Sequence, residues 1–212
     1  MMAKQMPTRL YLIRHGETSS AQGGRCYGQT DLPLSEKGRE QMALLANRLS
    51  GIQPPPCRLY CSDLARSRES AGVLAGKWGL DPIVFPELRE IDMGLWEGLS
   101  FEEINRLFPG ETVEWATGSS DFRFPQGENL HDLEARVLRI HQKIISENRD
   151  GGLAIVGHAG PNRIILCQAL GVPLAHLWRL GQDYGGLSII DYHGDFPLLS
   201  LMNLTPAQWS AP

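Results

Sequence analysis

Short apolar runs at residues 9–13, 58–61, 83–85 and 153–156 are separated by stretches with helical periodicity, and this alternation constrains the fold more than any other feature. Strands that alternate with helices imply a mostly parallel sheet with helices packed on both faces. Between the first two runs, Ser35 is placed as the N-cap of a helix of about four turns. Leu45 and Leu49 lie on its buried side, and Pro54-Pro55-Pro56 ends it. Ser62-Asp63 is placed as the cap of a second helix reaching Trp78, and Asn129 as the cap of a third. In that third helix Leu130, Leu133, Val137, Ile140 and Ile144 recur at helical spacing. Pro161 suits the first turn of the last helix, which runs toward Gly171. Residues 187–191 and 198–201 read as a hairpin around His193-Gly194-Asp195, with Pro197 marking an edge strand. The expected fold is therefore α/β: a three-layer α/β/α sandwich, mostly parallel, with an antiparallel hairpin at one end.

No shift in composition divides the 212 residues, so residues 1–212 are expected to form a single domain. Within it, residues 94–128 stand apart, because Trp96, Phe101, Phe108, Trp115, Phe122 and Phe124 are scattered among glycines and acidic residues. This segment is read as a lid or insertion over a cleft, with ordinary core packing as the alternative. A formal net charge of −4 gives no support to non-specific nucleic-acid binding. Cys26, Cys57, Cys61 and Cys167 have neither C-x-x-C spacing nor histidine partners at zinc-binding intervals, which suits reduced structural thiols. With no signal-peptide pattern and no run of transmembrane length, a cytoplasmic protein with no membrane partner is expected. Oligomeric state is not encoded legibly.

The polar residues at the strand ends carry the chemistry. In an open parallel sheet, ligands bind beyond the carboxyl ends of the strands. Arg14 and His15 follow the first run, Arg66 follows the second by one turn, Glu90 follows the third and His158 the fourth. All should share one edge. Arg14-His15-Gly16 ends a buried strand with two groups that are costly to desolvate unless an anion meets them, and Gly16 is expected to let backbone N–H groups approach that anion. Arg66 and Arg68 sit in the first turns of a helix, where the macrodipole disfavours cations and favours an anion. Arg68 is read as a solvated surface residue, and Arg66 as part of the pocket. Two arginines and two histidines there suit a compact anion such as phosphate. Glu90 can supply a proton donor, with Glu87 as a competitor, while Glu17 is read as a brace. His131 and His141 are read as helix-surface positions, and no ligand role falls to His176 or His193.

Residues Leu12 to Thr18 resemble the signature of the histidine phosphatase superfamily, which includes cofactor-dependent phosphoglycerate mutases and many phosphatases. Ser62-Asp63-Leu64-Ala65-Arg66-Ser67, Leu88-Arg89-Glu90, Trp96-Glu97-Gly98 and Gly157-His158-Ala159-Gly160 resemble its later motifs in the same order. The resemblance implies that His15 is the nucleophile, attacking phosphorus to form a phosphohistidine. Arg14, Arg66 and His158 would hold the phosphoryl oxygens, and Glu90 would protonate the leaving oxygen and then assist water. No metal and no cofactor are called for, and the partner is a small-molecule phosphate ester. One departure is Ala21, where many relatives carry a phosphate-holding asparagine; Gln22 and Gln29 are candidates to compensate.

The segment Cys26-Tyr27-Gly28-Gln29-Thr30-Asp31-Leu32-Pro33-Leu34 resembles the corresponding loop of α-ribazole phosphatases of cobalamin nucleotide-loop assembly, which makes Gly28 and Gln29 candidate substrate-loop residues. The compact chain favours hydrolysis over mutase activity. The expectation is a phosphomonoesterase of the α-ribazole phosphatase type. A broad-specificity phosphatase, a phosphoglycerate mutase-like enzyme and a non-catalytic phospholigand-binding module are the alternatives.

Overall fold

The computed structural model describes residues 7–149 and 151–208. Six strands, β1 (Thr8–Arg14), β2 (Pro56–Cys61), β3 (Pro82–Val84), β4 (Gly152–Gly157), β5 (Leu187–His193) and β6 (Phe196–Leu204), form one sheet in the order β3-β2-β4-β1-β5-β6. The first four run parallel, and β5 is antiparallel to both β1 and β6. Helices α1 (Glu36–Arg48), α2 (Ala65–Trp78), α3 (Phe101–Leu107), α4 (Pro109–Ala116), α5 (Leu130–Glu147) and α6 (Ala159–Leu170) complete the described elements, with short 3-10 turns between them. Among the described residues, no helix is long and apolar enough to cross a membrane.

The sheet is buried on both faces, which is why its central strands read as continuous apolar runs rather than alternating ones. Along β1, Leu10 and Leu12 face α5 and α6, while Tyr11 and Ile13 face α1 and α2. Each fully buried aliphatic side chain of this kind contributes about 1.5–3 kcal/mol. The apolar stripe of α5, from Leu130 through Leu133, Val137 and Ile140 to Ile144, is buried as its spacing requires. Its N-terminus is a reciprocal capping box: Asn129 Oδ1 accepts from Asp132 N at 2.9 Å, and Asp132 Oδ2 accepts from Asn129 N at 3.2 Å. Ser35 caps α1 as expected, and Pro161 lies in the first turn of α6.

Four local expectations change. Ser62 and Asp63 do not cap α2, which begins only at Ala65. Its first amide is instead taken by Asp31 Oδ1 at 2.6 Å, across 34 positions of sequence. The third apolar run forms the expected short strand, but as an edge strand whose Ile83 and Val84 lie exposed rather than buried. His141 is buried rather than on a helix surface, whereas His131 is exposed beside Asp121. In residues 94–128, most of the aromatic rings turn inward, Phe101 remaining exposed: Phe122, Phe124 and Trp115 pack around Trp96 with ring centroids 5.5, 5.2 and 6.1 Å from it. These rings extend the core beneath α5, so the core-packing alternative describes the aromatics themselves.

Candidate active site

The parallel strands bring His15, Arg66, Glu90 and His158 to one edge of the sheet, and each side chain is at least nine-tenths buried. Arg14 joins them, half-buried, at the end of β1, where it is in register with Gly157 of β4. The rings of His15 and His158 meet edge to face with centroids 5.0 Å apart.

His15 is held in one tautomer. Its Nδ1 lies 2.7 Å from the Gly16 carbonyl, which can only accept, so Nδ1 carries the ring proton and Nε2 carries the lone pair. Burial, with the nearby Arg14 and Arg66 cations adding to it, holds the ring well below the usual histidine range and therefore neutral at pH 7. His158 is oriented by Ser62. The Ser62 Oγ accepts from the Leu64 amide and lies 2.7 Å from His158 Nε2; the hydroxyl proton has no other acceptor among the described residues, so it is assigned to Nε2 and the ring proton to Nδ1. That Nδ1 is buried and, like the buried Nε of Arg14, has no hydrogen-bond partner among the described residues. Two buried, unpartnered donors beside a neutral imidazole make a setting for an anion, because an unpaired buried donor costs about 1–3 kcal/mol.

The arginines are fixed by backbone. Arg14 donates from Nη1 to the Gln182 carbonyl at 2.5 Å and lies 3.9 Å over the Tyr184 ring. Arg66 donates to the carbonyls of Thr30 and Gly28, at 2.7 and 2.5 Å. Arg68, by contrast, is exposed. The carbonyls that grip Arg66 belong to a loop whose amides face the opposite way. Gly28 N and Gln29 N donate to Glu97 Oε1 at 3.0 and 2.7 Å, and Thr30 N donates to Oε2 at 3.2 Å. The Thr30 hydroxyl adds a further short bond to the same carboxylate. Gly28 is obligatory here, since a Cβ would stand 2.0 Å from the Ile91 carbonyl.

Glu90 accepts from the Ile91 amide at 2.9 Å and from Gly160 N at 3.0 Å, beside His158 at the start of α6. Its backbone is clamped by Arg136 of α5, which donates to the carbonyls of Glu87, Arg89 and Glu90 at 2.7–2.8 Å and pairs with Glu128. The competing Glu87 therefore contributes its carbonyl to this clamp, while the carboxylate beside the histidines is that of Glu90.

Three sequence-based assignments are corrected at this level. The Gly16 N–H is bonded to Ser70 Oγ at 3.1 Å, and the glycine is required because a Cβ would lie 2.4 Å from the Gly38 carbonyl of α1. Its task is close packing of α1, not backbone contact with an anion. Glu17 braces the entry to α1, through Lys37 at 2.7 Å and Ser35, rather than the pocket. Gln29 is committed at both ends of its side chain, to the Glu90 carbonyl and to Arg89, so it does not replace the asparagine absent at Ala21. The Gln22 side chain lies outside the described residues.

Sequence reasoning missed Tyr184, Gln182, Ser62 as a histidine partner, Arg136 and the role of Glu97. Tyr184 and Gln182 arrive because β5 runs antiparallel to β1, which carries its leading loop to the same edge; Gly185 N donates to the His15 carbonyl at 3.1 Å. The antiparallel hairpin itself was the available signal. Among the described residues, no group of three or more His, Cys, Asp or Glu side chains is arranged to hold a metal ion.

Comparison with known proteins matches residues 10–205 to the family model of the histidine phosphatase superfamily, branch 1. Phosphoserine phosphatase 1 of Hydrogenobacter thermophilus is 30% identical over 197 residues, covering 93% of this chain and 92% of that one. The adenosylcobalamin/α-ribazole phosphatase of Salmonella typhimurium is 29% identical over 195 residues, covering 92% and 96% of the two chains. The crystal structure of the α-ribazole phosphatase of Shigella flexneri superposes with a TM-score of 0.85 at 26% identity, over 92% of this chain and 96% of that one.

Proposed function

The chain belongs to the histidine phosphatase superfamily, a group of phosphatases and mutases, and from that premise we propose that it hydrolyses phosphomonoesters through a phosphohistidine at His15. The observation that carries this reading is the tautomer lock. Nδ1 is spent on the Gly16 carbonyl, and the neutral ring offers the Nε2 lone pair among Arg14, Arg66 and His158. In the first step Nε2 bonds to phosphorus as the ester P–O bond breaks, and Glu90 in its acid form gives its proton to the leaving oxygen. In the second, the Glu90 carboxylate takes a proton from water, whose oxygen attacks phosphorus; the P–N bond breaks and inorganic phosphate leaves. Arg14, Arg66 and the Nδ1–H of His158 stabilise the equatorial oxygens in both transition states.

The ester we assign is α-ribazole 5′-phosphate or a related cobalamin precursor. Its support is the loop from Cys26 to Leu34, in which Gly28 and Gln29 lie between Glu97 and the Glu90 backbone, together with the likeness to the Salmonella and Shigella α-ribazole phosphatases. We assign residues 94–128 the closing of the substrate side, because Glu97 within this segment holds that loop. The similarity to a phosphoserine phosphatase favours a second reading, an esterase for other small phosphates. Hydrolysis of a panel of metabolite phosphates separates the two. A kcat/KM for α-ribazole phosphate well above that for phosphoserine and the phosphoglycerates supports the first, equal slow turnover of all supports the second, and phosphoryl exchange between phosphoglycerates overturns hydrolysis as the main activity.

A further inference from the structure

A second cavity, of about 720 Å³, opens at the opposite edge of the sheet. Thr8 at the start of β1 lines it, and six strand residues at about 3.3 Å each put it roughly 20 Å from the catalytic histidines. It lies between the later halves of α5 and α6 and the turn joining β5 to β6. At its inner end sits His141, 2% exposed, whose Nε2 is 3.0 Å from the Tyr192 hydroxyl. Its Nδ1 is buried and has no hydrogen-bond partner among the described residues, although the Gln168 side chain approaches the ring.

These features define what would fit. Burial lowers His141 to about 4, so at neutral pH the ring is uncharged and offers one hydrogen-bonding atom rather than a cation for an anion. The formal charges among the lining residues, Arg149 and Asp195, are exposed and of opposite sign, so the lining carries no net charge. Ile145, Ala169 and Pro197 supply apolar wall, and the volume is that of a small-molecule site with a few convergent polar groups. We propose that this cavity binds an uncharged nitrogen heterocycle of nucleobase or nucleoside size, its polar edge hydrogen-bonded to His141 and Gln168.

The test is calorimetric titration of the full chain with adenosine and with uridine, in saturating inorganic phosphate to occupy the catalytic pocket. The expected result is saturable one-site binding of at least one nucleoside, weakened at least about tenfold by His141→Phe and by Gln168→Leu. Turnover of a chromogenic ester by both variants should stay within about twofold of the parent, since neither residue touches the catalytic cluster. Should His141→Phe not fold, Gln168→Leu, at an exposed position, carries the test alone. Absence of binding by both nucleosides, competition by phosphate, or undiminished binding by the folded variants overturns the proposal.

Discussion

Glu97 and Arg66 hold the same three-residue loop from opposite sides: the carboxylate takes the amides of Gly28, Gln29 and Thr30, and the guanidinium takes the carbonyls of Gly28 and Thr30. The loop thus transmits the position of one side chain to the other. Replacing the carboxylate by an amide in Glu97→Gln sets an N–H group against backbone N–H donors, at a cost of about 1–3 kcal/mol. Steady-state kinetics should show KM for a phosphate ester raised roughly tenfold or more, with a smaller change in kcat. The double variant with Arg66→Lys should lose less than the sum of the two single losses. Strict additivity would separate the two residues.

Gly16→Ala and Gly160→Ala should fail differently. At Gly16 the new Cβ would meet the Gly38 backbone at 2.4 Å, so α1 must move and denaturant unfolding should show a loss of about 1–3 kcal/mol or more. At Gly160 it would meet Glu90 Oε1 at 2.2 Å, the end of a side chain that can swing away. That variant should melt near the parent but lose about 10²-fold in kcat. Normal kcat in folded Gly160→Ala would remove Glu90 from the chemistry.

Ser62→Ala releases the Nε2 of His158 and with it the fixed tautomer. The expected loss in kcat/KM is about tenfold, comparable with other second-layer histidine partners. Histidine NMR provides the separate readout: the ring-nitrogen shifts of His158 should report the Nδ1–H form in the parent and a mixture in the variant. An unmixed Nδ1–H signal in Ser62→Ala would show that another group fixes the ring.

The acid side of the stability profile should carry the mark of His141. Its folded-state value of about 4 lies below the 6.5 of a free histidine, so as pH falls the unfolded chain takes up the proton first. The stabilisation is complete above 6.5 and is lost between 6.5 and 4, amounting to about 2 kcal/mol at pH 5. Urea unfolding of His141→Phe at pH 7 and pH 5 should show a pH dependence smaller by that amount, and an unchanged dependence would contradict the assignment.

What the sequence conveyed follows the physics of parallel sheets. Arg14, Arg66, Glu90 and His158 could be grouped because a parallel sheet sends every strand's carboxyl end to one edge, and the apolar runs identify those strands. Partners that cross the fold left no local trace. Asp31 rather than Ser62 or Asp63 meets the first amide of α2, which freed Ser62 for His158 and Asp63 for Arg89. His141 read as a surface residue because its helix is polar on the flanks of its apolar stripe; the packing of Tyr192 from the far hairpin and of Gln168 from α6 against the ring leaves no local trace. Gly16 looked like an anion contact because its neighbours are, yet the close approach of α1 sets its identity.

The central claim is the covalent bond to His15, and trapping the phosphoenzyme tests it most directly. After rapid mixing with a chromogenic phosphate ester and a quench that preserves phosphoramidates, intact-mass and peptide analysis should find one added phosphoryl group on the peptide containing His15, stable to alkali and labile to acid. In His15→Ala both the adduct and turnover should be absent. Turnover by that variant at the parent rate, or a phosphoryl group on any other residue of the active enzyme, would contradict the account.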